Sequence, residues 1–427
     1  MSNFKDFDRR TFFGSIAAAG IGGAAFLAAD ANAQDDSAQT TSGKFTASFP
    51  LLQNVTESSA SVAWALNVPA TGWIEWGPTP NLGKVARNSE FGLNPYDEEF
   101  LSARITGLAP NTTYYYRTAT CSFSYKTAYD KSISEPQYSE IYSFTTSGPA
   151  ADKTSFYVMN DTHNTIKTIQ KHIQNADEMD ADFILWNGDI CGSFDNFETA
   201  VKVIANPNDK PYAASRPVVF SLGNHDRRGA WARNLKKLLT TWEQDVPKFY
   251  SLGYNSAFRR GPLAMIVLDT GEDKPDWHPA WSGMANYEPY RELQTAWLAN
   301  VLERPEIKSA PYLVATCHIP LYSQNPTANP GNILDRFATI QWPCAQLWGP
   351  LFEKHGVQLL ISAHLHRFGY DEPNESRSWA QVVGGGPDYE KNATKICVEA
   401  DAEKMTLACS KLVDDSSLGV WTFKPRV

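Results

Sequence analysis

Positive charge, cysteine, histidine and long apolar runs are all scarce in this chain of 427 residues. Its 38 Lys and Arg face 47 Asp and Glu, a formal net charge of −9. A surface of that sign repels long polyanions, which argues against nucleic acid as a partner. Past the N-terminal region no segment has the ~20 consecutive apolar residues that a spanning helix needs, so no membrane span is expected in the mature protein. Hydrophobic residues still amount to 42%, ample for large buried cores. The length points to two domains behind a targeting segment.

Residues 1–33 read as that segment. Asp8-Arg9-Arg10-Thr11-Phe12-Phe13 precedes an Ala/Gly-rich apolar run from Ile16 to Ala29 and an Ala31-Asn32-Ala33 cleavage site. Paired arginines before a weakly apolar stretch resemble a twin-arginine export signal, so the expected location is periplasmic or extracellular. The alternative, a membrane anchor, calls for a longer run. A chain that folds in the reducing cytoplasm before export has less use for disulfides than its six cysteines would suggest. Cys397 and Cys409 lie in two alternating runs, Lys395 to Glu399 and Met405 to Lys411. In a hairpin they could face each other; otherwise they are two small buried hydrophobes.

Residues 34–44 are small, polar and patternless, as in a flexible linker. From 45 to 148 the chain changes character. Short alternating segments such as Ser61-Val62-Ala63-Trp64-Ala65-Leu66 and Gly72-Trp73-Ile74-Glu75-Trp76 are separated by Pro, Gly and Asn turns. That is the pattern of an all-β antiparallel sandwich. The run from Ile105 to Arg117 resembles the most distinctive stretch of fibronectin type III domains, in which a tyrosine, here Tyr114, bonds back to its own corner.

Ser147-Gly148-Pro149 reads as a linker to a second domain, residues 149–427. There, apolar runs end abruptly in polar residues again and again. Phe156 to Met159 leads to Asp161-Thr162-His163, and Phe183 to Trp186 leads to Gly188-Asp189. Val218 to Phe220 leads to Gly223-Asn224-His225-Asp226, Leu313 to Ala315 to His318, and Leu359 to Ile361 to His364-Leu365-His366. Nearly continuous apolar runs of this length predict strands buried on both faces, with helices over Asn164 to Glu178 and Tyr290 to Leu302 between them. Every polar motif then sits at the carboxyl end of a strand, the edge at which open α/β sheets bind ligands. Singly each motif is weak. Together they place five of the chain's eight histidines on one edge, in an oxygen-and-imidazole donor set of the kind that holds two metals side by side.

In this ordered set the second domain, from about Thr154 to the C-terminal hairpin, resembles the calcineurin-like metallophosphoesterases. The resemblance implies a four-layer α/β/β/α sandwich and two divalent or trivalent metal ions, manganese, iron or zinc. One metal would be held by Asp161, His163, Asp189 and His366, the other by Asp189, Asn224, His318 and His364, with Asp189 bridging. Two such ions carry more positive charge than two aspartates cancel, and a bridging hydroxide and a phosphoryl oxygen are drawn to the surplus. His225 would protonate the leaving group; Asp226 either orients it or faces solvent. Ala363 stands where the family usually has glycine before the last His-x-His, a change expected to leave ligation intact. The domain order is that of purple acid phosphatases, but Gly192 occupies the place of their iron-binding tyrosine. A colourless enzyme is expected.

Cys191 is either a soft ligand or a buried thiol, and Cys317 is expected in the core. Two insertions carry aromatics: Gly271 to Pro289 with Trp277, His278, Trp281 and Tyr287, and Leu321 to Pro350 with Tyr322, Trp342 and Trp348. They either overhang the site or pack onto the body of the protein. For substrate binding the candidates are Asn224, Arg227, Arg228 and Arg367, the arginines following metal motifs directly. The expectation is an exported phosphoesterase acting on a small phosphorylated substrate, phosphomonoesters favoured. A phosphodiesterase or nucleotide hydrolase is the alternative, and a non-catalytic binding protein the competitor of another class.

Overall fold

The structure, a computed structural model, describes residues 43–240, 252–322 and 338–426; the side chains of 338–342 are not described. The expected export signal and most of the segment expected to link it, 34–44, lie outside the described residues. Among those described, no helix is long and apolar enough to cross a membrane.

Two sheets stack face to face. The first has nine strands in the order Ser417–Phe423, Met405–Lys411, Thr394–Ala400, Thr154–Met159, Phe183–Asn187, Val218–Ser221, Leu51–Gln53, Ser59–Ala65 and Phe100–Thr106. The second has six: Ser256–Arg260, Leu263–Val267, Tyr312–Thr316, Leu359–Ser362, Ala380–Val383 and Gly369–Asp371. Both are mixed, with parallel strands at the centre, as in Phe156 opposite Phe183 and Val314 opposite Leu359.

Side chains alternate between two separate cores, which is why the runs looked continuously apolar. Phe156, Val158, Phe183 and Leu185 point inward and meet Met265, Val267, Val314 and Ile361 of the facing sheet. Tyr157, Met159, Ile184 and Trp186 point outward under the helix Ile166–Met179. On the far side Ile266, Leu313 and Leu360 pack beneath the helices Tyr287–Val301 and Ala338–His355 through Trp297, Leu298, Trp348 and Phe352. The result is the expected α/β/β/α stack preceded by an all-β domain.

That β domain forms its own core from Trp64, Ile74, Trp76, Leu101, Tyr116 and Phe144. The Tyr114 hydroxyl accepts from the Ala109 N–H at 3.0 Å, closing the corner anticipated from the sequence. The domain is not a bead on a string. Leu51–Gln53 pairs in parallel with Val218–Ser221, with Gln53 opposite Val218, so one sheet runs through both parts of the molecule. Ser147 and Gly148, read as linker, are buried: Ser147 Oγ donates to the Val55 carbonyl at 3.0 Å, and Gly148 bridges to Arg260.

The expected hairpin at the C-terminus is present, but its register pairs Ile396 with Cys409 and Cys397 with Ala408. Cys397 and Cys409 therefore do not face each other. Cys409 sits between the sheets, and Cys397 packs on the opposite face with the helix layer. All six cysteines are free.

Candidate metal centre

The carboxyl ends of five central strands converge on one edge, and their loops are stitched together through backbone groups. The N–H groups of Asp161, His163 and Asn164 donate to the carbonyls of Gly188, Asp189 and Ile190 at 3.1, 3.0 and 2.9 Å. His225 N–H donates to Asp189 Oδ1 at 2.8 Å, and His364 N–H reaches both oxygens of Asp161 at 3.1 and 3.0 Å. These turns force side-chain-bearing residues into left-handed backbone: φ is 49° at Asp161, 43° at His163, 46° at Asp189, 71° at His364 and 51° at His366. Each costs about 1–3 kcal/mol and persists only where the surroundings over-determine it. Glycine is required alongside. A Cβ on Gly188, itself at φ 78°, would fall on the His318 ring, and one on Gly223 would fall on Asp189.

Two overlapping donor clusters result. Ligand atoms of Asp161, His163, Asp189 and His366 lie within 4.8 Å of one another, and so do those of Asp189, His318 and His364. Asp189 belongs to both. Asn224 joins the second through its Oδ1, 3.0 Å from His364 Nδ1. His163 and His366 turn their Nε2 atoms toward each other at 2.9 Å.

The electrostatics suit cations. Burial pushes His163 down to about 4 and His364 to about 3, so both rings are neutral and keep lone pairs to offer. His318 goes the other way. Burial opposes its charge, but Asp189 and Asp161 outweigh it and raise the ring to about 10. Asp189 is pushed up by burial yet is held well below the usual carboxylate range by His318, His225 and His163. A buried centre that recruits a proton onto His318 is one that a metal ion would satisfy better. His318 Nε2 is buried with no hydrogen-bond partner, as expected of an imidazole nitrogen that would serve a metal ion, whereas the buried, unpaired Asn224 Nδ2 is an N–H donor suited to an anion. The donors present therefore fit a pair of metal ions.

The neighbouring residues fall differently from the sequence reading. His225 hydrogen-bonds through Nδ1 to the Gly192 carbonyl at 2.9 Å, while its Nε2 accepts from Arg228 Nη1 at 2.9 Å. Asp226 neither orients His225 nor faces solvent. Its carboxylate is buried and accepts from Ile190 N–H at 2.9 Å and Gly223 N–H at 2.8 Å, clamping the Asp189 loop to the Asn224 loop. Arg227 is paired with the buried Asp269, and Arg228 holds Glu272 in a two-bond fork at 2.9 Å each. Neither arginine is a solvated side chain, and neither is free to grip a substrate without giving up an acidic partner. Arg367 is exposed. Cys191 is a buried thiol donating to the Ser193 carbonyl at 3.0 Å, and Cys317 lies in the core under the second sheet.

The acidic partners Asp269, Glu272 and Asp273 were not singled out from the sequence. They follow the strand Leu263–Val267 at the same edge, so the strand-end rule that found the other motifs would have found them. The first insertion begins there; farther along, Trp277 is 62% exposed and Tyr287 lies beside Arg227. In the second insertion Trp348 is fully buried and Tyr322 packs on Trp379, both serving the body of the domain. The Trp342 side chain and residues 323–337 lie outside the described residues.

Comparison with known proteins agrees with this geometry. Residues 154–368 match the calcineurin-like phosphoesterase family, and residues 50–146 match the purple acid phosphatase N-terminal domain. No curated protein matches the sequence. Among solved structures, a purple acid phosphatase, PPD1, from yellow lupin (Lupinus luteus) seeds is 15% identical with a TM-score of 0.62, covering 89% of this chain and 75% of its own. PhoD is 11% identical with a TM-score of 0.56, covering 88% of both chains. At such identities the likeness shows the fold. The family match spans half of the chain and includes every strand-end motif from Asp161 to His366: the chain belongs to the calcineurin-like phosphoesterases and is a metal-dependent phosphoric ester hydrolase.

Proposed function

We propose that the protein is an exported dinuclear phosphoesterase, with one metal on Asp161, His163, Asp189 and His366 and the other on Asp189, Asn224, His318 and His364. The observation that carries this reading is the sharing of Asp189 by two donor clusters that are otherwise distinct. The donors suit manganese, iron or zinc. Bound there, a metal pair supplies an activated water near neutral pH and positive charge for the phosphoryl oxygens.

The chain's own groups divide the remaining work. His225 protonates the leaving oxygen from Nε2, since Nδ1 is committed to the Gly192 carbonyl. Nε2 can carry that proton only once the Arg228 contact opens. Asn224 stands beside the phosphoryl group, and Arg367 is the arginine free to meet a substrate from solvent. Asp226 keeps the two loops in register. The substrate is a small phosphorylated molecule rather than nucleic acid, in keeping with a net charge of −9. Phosphomonoesters are favoured because the arrangement of an N-terminal β domain before the metal domain is shared with a purple acid phosphatase.

The test is turnover of an aryl phosphate, an aryl diester and nucleotides by the metal-reconstituted protein. Asp189→Ala and Asn224→Ala should abolish it. Activity surviving in either variant would overturn the assignment, and faster diester turnover would reverse the order of substrates.

A further inference from the structure

The N-terminal β domain reaches toward the reacting groups at one place. Trp231 lies six residues beyond His225; its Nε1–H donates to Glu99 Oε1 at 3.0 Å, and its ring packs on Phe100 with centroids 5.8 Å apart. Glu99 also binds Lys237 Nζ at 2.9 Å. Gln53 pins the end of the same segment, donating to the Leu238 carbonyl at 2.8 Å and accepting from Thr240 N–H at 3.2 Å. Residues 231–240, which continue from the Asn224 motif, are thus held by another domain.

From Trp231 the contact leads back to the acid in three links. Trp231 N–H donates to the Phe194 carbonyl at 2.9 Å, and Phe194 N–H takes the Arg228 carbonyl at 2.8 Å. Gly229, at φ 98°, lets the two backbones touch, since a Cβ there would strike the Phe194 carbonyl. Two residues before Phe194 is Gly192, whose carbonyl sets the His225 ring at 2.9 Å. The loop that orients His225 is therefore fastened to a segment that the β domain clamps.

We propose that Glu99 and Trp231 are positioning residues for His225, and that the β domain has a part in turnover as well as in stability. This rests on His225 serving as the acid. Removing the clamp leaves every metal donor in place but frees the Gly192–Phe194 loop, so the ring loses its fixed direction toward the leaving oxygen.

The experiment compares Trp231→Phe and Glu99→Gln with Tyr116→Phe, whose hydroxyl crosses the same domain junction to the Ala214 carbonyl at 2.6 Å, ahead of the motif. In the metal-loaded protein the first two should lower kcat about tenfold for esters with poor leaving groups, with KM and metal content unchanged. Amide hydrogen exchange should quicken at 192–195 and 225–231 and nowhere else. Tyr116→Phe should do neither. Unchanged kcat, exchange that quickens across the whole chain, or equal effects from Tyr116→Phe would overturn the proposal. If the parent protein hydrolyses no phosphate ester, the functional reading fails instead, and the exchange pattern alone decides whether the clamp holds this loop.

Discussion

His318 Nδ1 faces the Asn187 carbonyl at 3.0 Å, and a carbonyl can only accept, so Nδ1 keeps a hydrogen and Nε2 is the nitrogen that would give up its proton to serve a metal ion. Asn187 ends the strand that leads to Asp189, and His318 Nε2 lies 3.3 Å from Asp189 Oδ2. One strand end thus fixes both a carboxylate and the tautomer of an imidazole aimed at it.

Replacing His318 with alanine should leave about one metal ion per chain where the parent binds about two, and should remove nearly all turnover. Elemental analysis of the two purified proteins decides it. Two ions retained in the variant would take His318 out of the centre.

His172 predicts a slope in stability. It is fully buried, its Nδ1 is 2.9 Å from the Tyr157 hydroxyl, and burial followed by Lys395 lowers it to about 3. An unfolded chain titrates this ring near ~6.5. Above that pH neither state is protonated and His172 contributes no slope. Between about 6.5 and 3 only the unfolded state takes the proton, so stability falls as pH falls, by up to about 1.4 kcal/mol per unit. Urea midpoints of metal-free protein at pH 6.5 and 4.5 should show this, and His172→Phe should flatten it. An unaltered slope in the variant would assign the effect to other groups.

The six cysteines should react as six thiols in denaturant without prior reduction, and reductant should leave the melting temperature where it was. The register of Cys397 and Cys409 is the reason. Fewer than six reactive groups would contradict it.

With iron bound, the protein should be colourless in the visible range. Gly192 offers no phenolate, and the Cys191 thiol, pushed up to about 11 by burial, stays protonated at neutral pH. A purple charge-transfer band in the iron-loaded protein would refute this.

The sequence was most legible where one rule repeats. Apolar runs ending in Asp, Asn or His pointed to six residues that the structure gathers into the two clusters, because strand direction alone places them on one edge. Tyr114 was legible for a similar reason, its partner Ala109 being five residues away. Pairings across long separations were not. Nothing near Asp226 says that its oxygens serve Ile190 and Gly223, and nothing near Arg228 says that Glu272 awaits it 44 residues later. The burial of Ser147, in a stretch with every mark of a linker, depends on its partner Val55 92 residues earlier.

The strand Leu51–Gln53, set beside Val218–Ser221, bears on how such a protein could be rebuilt. A catalytic fragment begun at residue 149 would present a bare strand rim next to the residues that lead to Asn224, inviting self-association. The β domain is therefore not an exchangeable cassette, and any transplant would have to carry its rim-covering strand with it.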